Sequence, residues 1–520
     1  MVDEDNGERD RITRRNVVKS AGALGAVGAL GSLAGCTGDG GDGDSTTGGD
    51  GGASGDGGDG GDSTEDSGDG GGGDTETDSG SMESVTISFW SGDAAESSET
   101  RSWFQESMKN YQNKHTNVTV DLQPISYGDM GSKLTSAVQA GNSPDMAQGG
   151  TTALQFYFND KLADHGTFIE GTDGLPDNWT QSNIDAAQYR GNWWAGGSPR
   201  HTYTMLGINA NMFREAGVSG PEELETWTGF RRAVKKVQEQ FPDAWAYEET
   251  GTPGDLETYW GQARTSYTDG TDPWFDGNGD EATLKVGETD RTDGMIKNTI
   301  DMANTFSSSK SASRGDENMP QLLLTQRAAS YTYAVGNAPK YRSVKSDVSF
   351  GWDGDIWQGP IPKLDANYGE EFGIDELAGK EGQHGAHAWG LEQQKQVFSG
   401  SDNPQEAWNL LNYTNTSADH LAELYATIYP AAPTYEPLSD TIKSEYGDQL
   451  SQPLTAMLNA AQEYGPQYNV TGAAWDLKET SQIRWTDINE PISQAIAGKF
   501  GPDKAVSTIV DNVNKTMSGS

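Results

Sequence analysis

Cys36 is the only cysteine among 520 residues, and it directly follows Leu33-Ala34-Gly35. A thiol placed after small residues matches a lipoprotein signal-peptidase site, where it would be alkylated by diacylglycerol and become the new N-terminus. With Cys36 so committed, the rest of the chain has no cysteine for a disulfide, a thiolate nucleophile or a thiolate metal ligand. Asp276-Gly277-Asn278-Gly279-Asp280 echoes the start of a calcium loop, but the sixth position is Glu281 instead of Gly and the twelfth is Gly287 instead of Glu. An acidic hairpin turn is the better reading. His384 and His387 stand three apart beside glycines, and a zinc site would need further ligands that the sequence does not identify, so this stretch reads as a flexible interlobe loop. There is no Gly-x-Ser-x-Gly elbow, no phosphate-cradling glycine loop with lysine and no His-Glu-x-x-His. The expectation is a protein that is not an enzyme and needs no metal or cofactor.

The aromatic residues carry the stronger signal. The chain has 15 tryptophans and 19 tyrosines, and several fall in predicted loops: Trp193-Trp194, Tyr259-Trp260, Trp274, Trp352, Trp389 and Trp475. Large planar rings offer apolar faces to the C–H side of a pyranose while neighbouring amides and carboxylates bond its hydroxyls. A carbohydrate suits such rings, with packing inside the fold as the competing use of each. Trp103, Trp227 and Trp408 lie on predicted helices and are expected in the core.

The elements that deliver these residues begin with an export signal over 1–36. Arg14-Arg15 precede a weakly apolar run of about 15 residues, which resembles a twin-arginine signal and is too short and glycine-rich to span a bilayer that needs about 20. Residues 37–83 are Gly, Asp, Ser and Thr with almost nothing apolar, so they form a disordered tether with a reach of roughly 35 to 40 Å. The chain carries 78 acidic against 36 basic residues, a formal charge of −42. The tether holds 14 of the acids and the signal is neutral, which leaves about −28 on 84–520. At about 1 M salt the Debye length is only about 3 Å and such self-repulsion is screened. Scattered acidity with scarce lysine predicts a secreted protein of a halophilic archaeon and makes nucleic acid an unsuitable partner.

Within 84–520, Val85 to Trp90 alternates as a strand, Trp103 to Lys114 places Trp103, Phe104, Met108 and Tyr111 on one helical face, and Asn117 to Leu122 is a second strand. A helix over Met130 to Ala140 is closed by Gly141-Asn142, and a short strand follows through Ala147. This βαβαβ order implies a parallel sheet, with ligands beyond the carboxyl ends of its strands, at Ser91-Gly92 and Gly149-Gly150-Thr151.

At this point the chain resembles a family. "VTISFWSGD", "SKLTSAVQAGNSPDMAQGG" and "TMLGINANMFREAGVSGPEELETWTGFRRAVKKV" are similar to extracellular solute-binding proteins of the maltose-binding type, receptors of ATP-driven importers. Gln326 to Tyr331 resembles the family's Gly-x-Ala-Ala-Met strand entry, with Arg327 where Gly-Lys is usual; Gly359-Pro360-Ile361-Pro362 resembles its Pro-x-Pro strand and Asn403 to Trp408 the helix after the crossover. The resemblance implies an α/β fold of the type II periplasmic-binding-protein class: two lobes, a ligand cleft and several hinge crossings. It places lobe 1 at about 84–200 plus part of 350–400, and lobe 2 at about 210–345 and 400–520. It further implies a monomeric receptor, lipid-anchored through Cys36 on the outer face of the membrane, that passes a carbohydrate to permease subunits. The ligand-binding candidates are Trp90, Gly150, Trp193, Trp194, Arg200, Trp260, Asn337, Trp389 and Trp475, with Trp193–Trp194 and Trp389 stacking on the sugar from opposite sides. The alternatives are a receptor of the same fold for a polyamine, glycerol phosphate or metal ion, and a secreted glycoside hydrolase, which would need two carboxylates about 5 to 9.5 Å apart.

Overall fold

The computed structural model describes residues 83–519, apart from 254–255, 257–266, 268–273, 278–280, 335–337, 385–387, 390–392, 448–449, 465–478 and 480–481. Arg14, Arg15, Cys36, Trp260, Asn337 and Trp475, and nearly all of the tether, lie outside the described residues.

The first sheet is built from β1 (Val85–Ser91), β2 (Val118–Pro124) and β3 (Met146–Ala147). β1 pairs in parallel with β2 from Val85↔Val118 to Ser91↔Pro124, and with β3 through Phe89↔Met146. The parallel pairing follows from the crossovers α1 (Ser98–Lys114) and α2 (Tyr127–Gln139). α1 starts earlier than its apolar face suggests because Ser97 and Thr100 form a capping box. Alternation buries Ile87 and Phe89 completely. The strand pairs Gln188–Tyr189 (β4) with Asn192–Trp193 (β5), and Phe275–Asp276 (β7) with Thr283–Leu284 (β8), are antiparallel hairpins. The second of them is the expected acidic hairpin.

The second sheet is organised around β6 (Arg200–Asn209), ten residues long. Five other segments meet this sheet or the first: β9 (Ser330–Ala334), β10 (Ile356–Gly359), β11 (Ala388–Trp389), β12 (Gln396–Val397) and β13 (Ala432–Pro433). β13 lies against Arg200–His201, β11 against Thr202–Tyr203, and β9 and β10 against Thr204–Asn209, all antiparallel. β12 instead returns to the first sheet, antiparallel to β3. That sheet is therefore mixed, in the order β12-β3-β1-β2.

Burial divides the described chain into two main cores. One runs from Ile87 to Met205 and resumes at Val397 through Met457. The other takes Leu206 to Leu377 and Ile483 to Val513, with α3 (Trp227–Gln240) and α4 (Asp290–Phe306) contributing to it. A satellite of Met319, Leu323, Tyr331, Tyr341 and Ile356 joins α5 (Met319–Leu324) and α6 (Ala338–Val344). This corrects the expected partition. Residues 356–377 belong with lobe 2, and 404–457 belong with lobe 1, because β12 drops the chain back beside β3 and α7 (Pro404–Thr416) then covers the first sheet. The handover falls inside β6, between Met205 and Leu206. Trp103, Trp227 and Trp408 are core residues, as expected.

Candidate functional site

β1 ends at Ser91 and the chain turns at Gly92 into Asp93–Ala95. A Cβ on Gly92 would lie 2.6 Å from the Tyr127 ring, so glycine lets that ring pack beneath the turn. Asp93 is 1% exposed and Arg200, the first residue of β6, is fully buried. Arg200 Nη2 donates to Asp93 Oδ1, and Tyr127 Oη donates to the same oxygen at 2.6 Å. The Arg200 guanidinium also lies 4.4 Å from the centroid of the Tyr429 ring. Beyond it, the Asp93 amide donates to Gln148 Oε1 at 3.1 Å and Gln148 Nε2 to Gln393 Oε1 at 3.2 Å. Burial alone would raise the Asp93 carboxyl, but Arg200 and the Tyr127 hydroxyl hold it below its ordinary value, so it is an anion.

Lys395 lies on the same side. Its ammonium donates to Thr414 O and Oγ1, each at 3.0 Å, and to Asn415 Oδ1 at 2.9 Å. None of these acceptors is charged, and burial brings the lysine down to about 7 against the pull of Asp93. Asp93 keeps one acceptor in reserve: its buried Oδ2 meets no hydrogen-bond donor among the described residues. A buried polar atom without a partner costs roughly 1–3 kcal/mol, which a ligand hydroxyl would recover.

A second polar cluster belongs to lobe 2. The segment Trp245–Glu248 follows 327–330: Trp245 N donates to Arg327 O at 2.9 Å and Glu248 N to Ser330 O at 2.9 Å. Successive side chains then diverge. The Glu248 carboxylate is satisfied by Arg314, by Ser308 N at 2.8 Å and by Ser308 Oγ at 2.6 Å. Glu249 accepts from Tyr247 Oη at 2.6 Å, but its Oε1 meets no donor among the described residues, and the same holds for Thr250 Oγ1. Burial raises the Glu249 carboxyl to about 8, so at neutral pH it is protonated and can both donate and accept.

Tyr247 Oη reaches Thr332 Oγ1 at 3.4 Å, and Thr332 pairs with Leu206 on β6. Leu206 is six residues from Arg200, about 20 Å along the strand. β6 thus begins in the lobe 1 cluster and runs to its pairing with β9, which borders the lobe 2 cluster, and each cluster holds an acceptor without a donor among the described residues.

The sequence-derived candidates scatter around this arrangement. Arg200 is central to it, as a buried partner of Asp93. Gly150 stands at φ +51 beside Gln148 and Gly149, with its N–H on Gln394 O at 3.4 Å. Trp90 instead lines a groove of about 420 Å³ flanked by Ser132, Lys133 and Ser136 of α2 and by Asn142 just beyond its end. Trp194 is a correction: it is fully buried in the first core and its indole N–H donates to Ala186 O at 3.0 Å. Trp193 is half-buried, edge-on to Trp179 at 6.0 Å between centroids. These two rings therefore do not form one face of a sugar sandwich. The Trp389 backbone pairs with Thr202 on β6. Asp93, Tyr127, Glu249 and Thr250 escaped the sequence reading. Asp93 adjoins the Ser91-Gly92 loop it singled out, and two adjacent acids after Ala244-Trp245-Ala246-Tyr247 were the available signal for Glu249. No group of three or more His, Cys, Asp or Glu residues able to hold a metal occurs among the described residues.

Solved structures with this architecture include a solute-binding protein of an ABC transporter from Thermotoga lettingae, bound with α-D-tagatose (17% identity, TM-score 0.63, 84% of this chain and 100% of that one). An ABC substrate-binding protein from Listeria monocytogenes in complex with cycloalternan is equally similar (16%, 0.63, 84% and 100%). A sugar transporter from Arthrobacter chlorophenolicus with bound laminaribiose follows (15%, 0.62, 83% and 99%). The fold is that of type II periplasmic-binding proteins. No curated protein matches the sequence. The profile of the bacterial extracellular solute-binding protein family matches residues 94–419, well over half of the chain, and the chain belongs to that family.

Proposed function

We propose that this protein captures a sugar or oligosaccharide between its lobes and presents it to the membrane subunits of an ATP-driven importer. Family membership and the sugars named with the similar structures support the reading. The observation that carries it is the pair of buried carboxyl groups, Asp93 in lobe 1 and Glu249 in lobe 2, each with one oxygen that meets no donor among the described residues. Hydroxyl-rich, uncharged ligands supply such donors. A polyamine would instead favour two ionised carboxylates, whereas Glu249 is held neutral at pH 7.

The lipobox at Cys36 and the Arg14-Arg15 signal support a receptor exported and held at the outer membrane surface by a lipid, and the acidic composition supports a home in high salt. A thermal-shift screen of the protein in molar salt against mono- and oligosaccharides, with spermidine and glycerol 3-phosphate as contrasts, tests the ligand class. A ligand at about 100 times its Kd adds about 2.7 kcal/mol. Stabilisation by spermidine or glycerol phosphate alone would overturn the sugar reading.

A further inference from the structure

Helix α6 (Ala338–Val344) is attached to the molecule in two chemically different ways. Toward lobe 2 the attachment is apolar: Tyr341 is fully buried in the satellite core with Met319, Leu323 and Ile356, and its hydroxyl lies 2.9 Å from that of Tyr331 on β9. Toward lobe 1 it is ionic. Lys340 Nζ lies 3.0 Å from Glu96 Oε2, and Arg342 Nη2 lies 3.3 Å from Glu99 Oε2. Arg342 Nη2 also donates to Ile428 O at 2.5 Å and Thr427 O at 3.3 Å. Those carbonyls end the helical turn Leu424–Ile428, where a cation is favoured.

The lobe 1 acceptors are neighbours of the buried cluster. Glu96 is three residues after Asp93, and Ile428 precedes Tyr429, whose ring lies under the Arg200 guanidinium. A helix fixed to one lobe by packing and to the other by ion pairs and carbonyl contacts can leave the second while Tyr341 stays buried in the satellite core.

We propose that α6 is an electrostatic clasp: Lys340 and Arg342 grip the Asp93–Glu99 turn and the 427–428 carbonyls, and this grip holds a fraction of the protein closed before any ligand arrives. The inference goes beyond the assignment of a sugar and rests only on the two-lobe fold. The pairs are partly exposed, so they are individually weak and screened by salt. A bias of that size still moves an open–closed equilibrium several-fold.

The test needs no ligand, so it stands even if the chain binds no sugar. Spin labels at Gln105→Cys and Glu239→Cys, in the full chain made cysteine-free by Cys36→Ser, report the distance between the lobes. The clasp predicts a closed population in the unliganded protein that falls about fivefold in Lys340→Gln/Arg342→Gln. Raising salt from about 0.1 M to about 1 M should weaken closure in the parent and not in this variant. Reversal with Lys340→Glu/Arg342→Glu should open the protein further, and adding Glu96→Lys/Glu99→Lys should close it again. Thermal melts confirm that each variant is folded. An unliganded parent with no closed population, a glutamine variant with the parent's distance distribution, or a charge swap that fails to reclose would each overturn the proposal.

Discussion

Glu249 is the residue whose chemistry is least expected of an acidic solute-binding protein. A carboxyl raised to about 8 keeps its proton in the folded state while the unfolded chain loses its own near 4.5. Its contribution to stability is therefore whole below about pH 4.5 and is lost as pH rises toward 8. Glu249→Gln removes this loss, so its stability relative to the parent should grow by about 1.4 kcal/mol per pH unit between pH 5 and 8, read from urea melts. A parent and variant with parallel pH profiles would show that Glu249 is not held neutral. Such a group was legible in the sequence only as one of 78 acids. Its neighbour Glu248 has the same residue type and the opposite surroundings, with Arg314 and Ser308 satisfying it. Residue type told nothing here; the difference comes from which side of a short extended segment each side chain leaves. The tryptophans teach the converse. Trp194 has the ring chemistry of a sugar platform, yet the fold uses it as core.

At the scale of elements, the long periodic pieces were readable and the short ones were not. β1, β2 and α2 appear close to their expected limits because each has an alternation or apolar stripe, and α1 ends where its stripe ends but starts five residues before it. β11, β12 and β13 have two residues each and no periodicity to detect, and they decide where the chain crosses between lobes. This is why the expected partition puts 404–457 with the other core, whereas 397–398 and 483–513 lie in the cores it assigned them. Gln326 is a demand that the sequence reading did not register: it stands at φ +56, a left-handed conformation that a glycine would take without strain. The loop feeding β6 makes its own demand. Gly197 has φ +84, and a Cβ there would lie 2.7 Å from the Trp179 ring, whereas Gly191 in the β4–β5 turn has φ +76 with open space around it. Gly191→Ala should cost about 1 kcal/mol from the backbone alone, and Gly197→Ala clearly more, measured as shifts in urea midpoint. Equal costs would mean that the approach of Trp179 to this loop is not tight.

Taken whole, the molecule keeps two histidines uncharged in its interior. Burial lowers His165 to about 4 and His201 to about 3, the latter with help from Arg200. Both lie below the unfolded value near 6.5, so the stability they allow is complete above that pH and is lost as pH falls toward 4 and 3. At pH 5 each costs about 2 kcal/mol relative to neutral pH. His165 Nε2 accepts from Val397 N at 3.0 Å, a bond a glutamine can replace, so His165→Gln should lose less stability than the parent on acidification from pH 7 to 5. An unchanged slope would place His165 in water. The whole-chain charge was the most legible property of all, since it needs only a count, and it makes salt concentration a variable to be fixed in each stability and binding measurement and varied in the test of the clasp.

The central claim is that one ligand is held by a polar cluster from each lobe on either side of β6. Calorimetric titration in molar salt, with whichever sugar stabilises the protein most, tests it directly by comparing the parent with Asp93→Asn and with Glu249→Met, which removes both oxygens of the neutral carboxyl at similar volume. The account predicts that each variant, though folded, weakens binding by about 1–3 kcal/mol, because each alters a buried partner of the ligand on a different lobe. A sugar that binds both variants as it binds the parent, or that responds to the Asp93 change alone, would contradict it.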